Sequence, residues 1–101
     1  MHAGRIVYVK LLGNGLYKIG CTENLKRRYL SRRGRDLVCS IPVPPDVNMY
    51  SFEAEVHSLF GEFRNQQAER FDLGIYQLGM LQCLASSPDP QASIAAMRAN
   101  A

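Results

Sequence analysis

The chain has 101 residues and a formal net charge of +3, enough for one domain with a modest core. Its apolar runs are far shorter than the roughly 18 residues that span a membrane, and its first residues lack a charged-then-apolar leader pattern, so the expectation is a cytoplasmic protein with no membrane partner. The charge is lopsided: residues 1–35 hold nine Lys and Arg against Glu23 alone, net +8, while residues 36–101 hold three against eight acids, net −5. Such asymmetry points to an anionic polymer, nucleic acid first; the plainer alternative is a solvated helix face that pairs with the acidic half.

Residues 1–4 read as frayed. Arg5–Leu12 alternates as a strand, with Val7, Val9 and Leu11 toward the core and Ile6, Tyr8 and Lys10 on a more polar face. Gly13-Asn14-Gly15 supplies the positive φ of a hairpin turn. On the return strand Tyr17 and Ile19 share one face and Leu16, Lys18 and Gly20 the other, with Gly20 permitting a close approach.

Thr22–Gly34 reads as a helix, with Thr22 as its N-cap, Glu23 in the first turn and Gly34 as its stop. Leu25, Tyr29 and Leu30 give it a narrow apolar stripe. Arg28, Arg32 and Arg35 share one side, and an anion nearby would relieve their repulsion. Asp36–Val43 is a third strand, ended by Pro42, Pro44 and Pro45. Met49–Arg64 is a long helix and the main core donor, through Met49, Phe52, Val56, Leu59, Phe60 and Phe63.

Glu53 and His57 lie four apart beside that apolar stripe. They read either as a surface pair or as a carboxylate placed to hold a hard divalent cation together with waters and phosphate oxygens. After a polar break at residues 65–68, Glu69–Leu73 is a short extended piece and Ile75–Ala85 a last helix. Residues 1–86 thus form one domain, and residues 87–101 a tail or short helix. Cys21, Cys39 and Cys83 are too widely spaced for a Cys-x-x-Cys site and read as small, half-buried core residues.

Several of these pieces, in order, resemble the GIY-YIG nuclease superfamily, and within it a branch of short phage and bacterial proteins whose second motif reads Tyr-Lys-Ile-Gly. They are Ile6-Val7-Tyr8; Tyr17-Lys18-Ile19-Gly20; Thr22-x-Asn24-Leu25-x-x-Arg28; Glu53-x-x-x-His57-x-x-Phe60-x-x-x-Arg64; and Glu69-Arg70-Phe71, where the branch usually has Glu-Trp-Phe. The resemblance covers about residues 5–73. It implies an α+β fold, a small three-stranded antiparallel sheet flanked by helices, and metal-dependent hydrolysis of DNA phosphodiesters with Mg²⁺ or Mn²⁺.

By the same resemblance, Tyr8 is the general base or water-positioner, and Lys18 stands where a second tyrosine is usual. Arg28 binds the scissile phosphate, Glu53 holds the metal, and His57, Asn65 and Glu69 match positions without an assigned role. Lys10, Lys26, Arg27, Arg32, Arg33 and Arg35 are the expected nucleic-acid contacts. Ile6 replaces the first-motif glycine. Two further functions stay open on the same scaffold. One is a non-catalytic nucleic-acid-binding module. The other is a protein-interaction or inhibitory module that uses the apolar stretch Ile75–Met97 against a partner or a second copy. A homodimer or a partner protein would then supply DNA specificity.

Overall fold

Residues 6–22 build the centre of the protein from one hairpin. In the computed structural model, which describes residues 4–23, 36–64 and 70–100, β1 (Ile6–Leu11) and β2 (Tyr17–Thr22) pair antiparallel with Ile6 opposite Thr22 and Leu11 opposite Tyr17. Five residues separate them, and a hydrogen bond between Leu12 and Leu16 leaves a three-residue turn, Gly13-Asn14-Gly15. Gly15 N–H donates to the Leu12 carbonyl at 3.2 Å, Leu12 N–H to the Leu16 carbonyl at 2.8 Å, and Asn14 Oδ1 accepts from Leu16 N–H at 3.1 Å. Gly15 has φ +84°, the left-handed backbone that closes this kind of loop and that a side chain disfavours. Of the two turn glycines, only Gly15 takes the positive φ.

β3 (Leu37–Pro42) pairs with the free side of β1, antiparallel, with a register shift between Val9 and Lys10. The sheet is larger than the expected three strands. A two-residue β4 (Arg70–Phe71) adds to the outer side of β2, giving the order β3-β1-β2-β4. The extended piece read around Arg70 is therefore part of the sheet. Phe71 drives this pairing: it is fully buried opposite Tyr17, and a further antiparallel bridge ties it to Arg64.

Three helices complete the α+β fold: α1 (Met49–Leu59), α2 (Ile75–Ser86) and α3 (Pro90–Ala99). Asn48 caps α1, its side chain accepting from Tyr50 N–H at 2.9 Å and Ser51 N–H at 3.0 Å. The helix stops at Leu59 instead of running to Arg64, because Phe60 leaves helical geometry and Gly61–Phe63 continues as one 3₁₀ turn. Asp89 caps α3, and Pro90 occupies the first turn, where its missing N–H costs no hydrogen bond.

The core lies between one sheet face and the helices. Val7, Val9, Ile19 and Ile41 from the strands meet Phe52, Val56, Phe60, Leu81, Leu84 and Ile94 from the helical side. α1 packs on β1 and β2, α2 on β3, and α3 on α1 and α2. Two expectations about this core are corrected. Leu11 is 43% exposed, at the end of β1 beside the loop. The cysteines divide, with Cys39 buried, Cys21 half-buried and Cys83 exposed. In the first turn of α2, Ile75 and Tyr76 are exposed. Arg5, counted among the N-terminal cations, is a structural group. Its guanidinium donates to the carbonyls of Pro44 and Pro45, both at 2.8 Å, and of Val47, fastening the proline loop to the start of β1.

Candidate functional site

Strand alternation sorts the expected site residues onto two sides of the sheet. Side chains of directly paired residues in an antiparallel ladder share a face. The face turned away from the helical core carries Ile6, Tyr8 and Lys10 from β1 and Lys18, Gly20 and Thr22 from β2, because the pairs are Ile6–Thr22, Tyr8–Gly20 and Lys10–Lys18. The core face carries Tyr17, Ile19 and Cys21 of β2, and there α1 brings Glu53 and His57.

On the outer face, Tyr8 is not an exposed phenol. It is 3% exposed and forms a second, smaller apolar cluster with Ile6 and Leu37. Its ring lies across the β2 backbone at Gly20. A Cβ at position 20 would stand 2.7 Å from the Tyr8 hydroxyl oxygen and 2.9 Å from the ring carbon bearing it. The sequence requirement for glycine at this point is therefore the tyrosine itself. Lys10 and Lys18, half-buried and opposite one another, flank the Tyr8–Gly20 pair toward the hairpin end.

On the core face, Glu53 is held as well as buried. Its side chain is 12% exposed; Oε1 accepts from the Cys21 thiol at 3.1 Å, and Oε2 lies 3.5 Å from His57 Nε2. That same His57 nitrogen is 2.8 Å from the Ile19 carbonyl. A carbonyl only accepts, so Nε2 carries the proton and donates to the β2 backbone. The imidazole also packs against Phe71, with ring centroids 5.2 Å apart. His57 thus locks the carboxylate and β2 together, and the exposed Glu–His pair weighed from the sequence is instead an inset polar cluster.

Among the described residues, no three His, Cys, Asp or Glu side chains are arranged to hold a metal ion between them. Glu53 alone still fits a hard cation of the single-carboxylate kind. Each carboxylate oxygen has two lone pairs, so one donor contact on an oxygen leaves room for a second partner. Nε2 of His57, turned toward a carbonyl, is not a ligand.

Tyr8 and Glu53 therefore address adjacent residues of β2, Gly20 and Cys21, from opposite faces. Arg28, Lys26, Arg27, Arg32, Arg33 and Arg35, together with Asn65, Glu69 and the helix read over Thr22–Gly34, lie outside the described residues; Thr22 itself is the last residue of β2. Two side chains that the sequence did not single out belong to this neighbourhood. Cys21 donates to Glu53. Arg70 stands opposite Lys18 in the β2–β4 ladder and so on the outer face. No local signal sets Arg70 beside Lys18, because their pairing joins segments far apart in the chain. Cys39 is a core thiol, its pKa pushed by burial from 9.0 to about 11.

The fold and this site together define a small α+β domain with one sheet face packed by helices and the other bearing a seated tyrosine beside cations. The chain belongs to the T5orf172 domain family, whose model matches residues 5–82. This is a phage-associated domain related to nucleases of the GIY-YIG and HNH-like kinds. No curated protein and no solved structure matches the chain. No helix among the described residues is long and apolar enough to cross a membrane.

Proposed function

We propose that the protein is a metal-dependent endonuclease of the GIY-YIG type that hydrolyses phosphodiester bonds in DNA. The observation that carries this reading is the seating of Tyr8 over Gly20 beside Lys10 and Lys18. A phosphodiester needs a positioned water, charge stabilisation on its non-bridging oxygens and help for the leaving oxygen. In this reading Tyr8 positions the attacking water or takes its proton, and burial fixes where its hydroxyl points. Lys18 neutralises charge on the phosphate, and Lys10 holds the neighbouring backbone. Arg28 supplies a guanidinium fork for the scissile phosphate. Glu53, oriented by Cys21 and His57, is the residue that would hold Mg²⁺ or Mn²⁺. Such an ion supplies Lewis-acid stabilisation of phosphate and leaving-group oxygens. Lys26, Arg27, Arg32, Arg33 and Arg35 add phosphate contacts.

A second reading, a nucleic-acid-binding module without cleavage, is favoured by one observation: Tyr8 and Glu53 approach β2 from opposite faces. The two readings separate on supercoiled plasmid incubated with Mg²⁺, with Mn²⁺ and with EDTA. The nuclease reading expects nicking that needs the metal and disappears in Glu53→Ala and Arg28→Ala. Salt-sensitive retention of uncut plasmid by the wild type would overturn it in favour of the binding module. Neither nicking nor retention would turn attention to a protein partner.

A further inference from the structure

The β2–β4 ladder extends the outer face by one cation that the family resemblance does not supply. Lys10 stands opposite Lys18, and Lys18 stands opposite Arg70, so one row crosses three adjacent strands. Neighbouring strands lie about 4.8 Å apart, so the row is roughly 10 Å across. The Tyr8–Gly20 pair lies two residues further along the same strands, about 7 Å from the row. We propose that Arg70, with Lys18 and Lys10, forms a cationic bar that grips the sugar–phosphate backbone of nucleic acid next to Tyr8. This inference rests on the nucleic-acid reading above and adds to it a residue that sets affinity.

Three features support it. First, Lys10, Lys18 and Arg70 put one sign of charge at three laterally paired positions, so their attractions for an anion add. Second, Arg70 is exposed, whereas its neighbour Phe71 is fully buried and is tied to Tyr17 and Arg64 as register partners. Asp72 N–H also donates to the Phe63 carbonyl at 2.8 Å. The guanidinium thus stands on an anchored strand, which costs less ordering entropy on binding than a loop would. Third, half-buried Lys10 and Lys18 can lay their methylene stems along the sheet and present their ammonium groups at its surface. A duplex carries one phosphate per 3.4 Å of rise on each strand, so a bar of this width spans about three.

The test is a salt titration of binding to a labelled duplex oligonucleotide in EDTA, where no metal-dependent cleavage occurs. Each neutralised phosphate contributes about 0.9 to the slope of log affinity against log salt. Arg70→Gln is expected to lower that slope by about one and to weaken binding severalfold at 0.1 M salt. Arg70→Lys should keep the wild-type slope, because the charge rather than the fork releases counterions. Arg98→Gln is the control: it changes a cation on α3 that donates to the Ser58 hydroxyl, and should leave the slope unchanged. If the wild type binds with a salt-dependent slope that Arg70→Gln does not alter, the bar is wrong and the nucleic-acid reading stands. Absence of salt-dependent binding by the wild type would overturn both.

Discussion

The two faces of the sheet are made by the same strands and differ in almost every other respect. The inner face is a continuous apolar layer of Val7, Val9, Ile19 and Ile41 against Phe52 and Val56, with one polar inset, Cys21–Glu53–His57. The outer face has a small apolar patch, Ile6, Tyr8 and Leu37, bordered by the cations Lys10, Lys18 and Arg70. A strand period of two lets one hexapeptide serve both. Each residue added to β1 or β2 goes alternately to packing or to the candidate site. In the proposed reading, stability is concentrated on the inner face and function on the outer, with Glu53 as the exception.

The strongest test of that division is to empty the inner face. Phe52 is fully buried at the centre of the core, and Phe52→Ala is expected to lower stability by about 3–5 kcal/mol. Urea unfolding followed by circular dichroism measures it; a loss below 1 kcal/mol would mean that the core lies elsewhere. On the outer face, Gly20→Ala should act through the tyrosine. Its Cβ meets the Tyr8 ring at its hydroxyl end, so the buried ring must shift, at about 1–3 kcal/mol and with loss of cleavage. Pairing it with Tyr8→Leu should recover stability but not cleavage, because the clash has been removed with the phenol.

Smaller in stability but sharper in function is Tyr8→Phe. Deleting one hydroxyl should cost about 1 kcal/mol and remove cleavage while DNA binding stays near wild type; equal loss of both would assign Tyr8 to binding. The smallest effect belongs to Cys39. Burial raises its pKa in the folded protein to about 11, above the ordinary 9.0 of a thiol. Between those values the unfolded chain has released a proton that the folded chain keeps, so stability falls as pH rises from about 9 to 11. Cys39→Val should flatten that part of the stability profile relative to wild type, and an unchanged slope would place its cause in another group.

Much of this comparison was legible from residue order. The β-hairpin, the third strand, the core-donating helix and the assignment of Tyr17 and Lys18 to opposite faces follow from alternation, turn glycines and helical spacing. What was not legible depends on long-range pairing. Nothing local in Glu69–Leu73 reveals that β4 joins β2, so Arg70 could not be set beside Lys18. Tyr8 reads as polar-face by alternation, yet it is buried with Ile6, and Leu37, 29 positions away, packs against that pair after the shift in register sets it opposite Lys10. The thiol on Glu53 likewise joins residues 32 apart in sequence. The helix end at Leu59 was local: Gly61 marks it, but the apolar spacing through Phe63 masks the break.

In the proposed nuclease, one reaction uses groups from both faces, Tyr8 from the outer and Glu53 from the inner. Nicking of supercoiled plasmid in Mg²⁺ by wild type, Tyr8→Phe and Glu53→Gln, each first shown to be folded, tests it most directly. The expected result is that wild type nicks and both variants lose nicking, although their side chains lie on opposite sides of β2. Wild-type nicking by either variant would contradict the claim and confine the site to a single face.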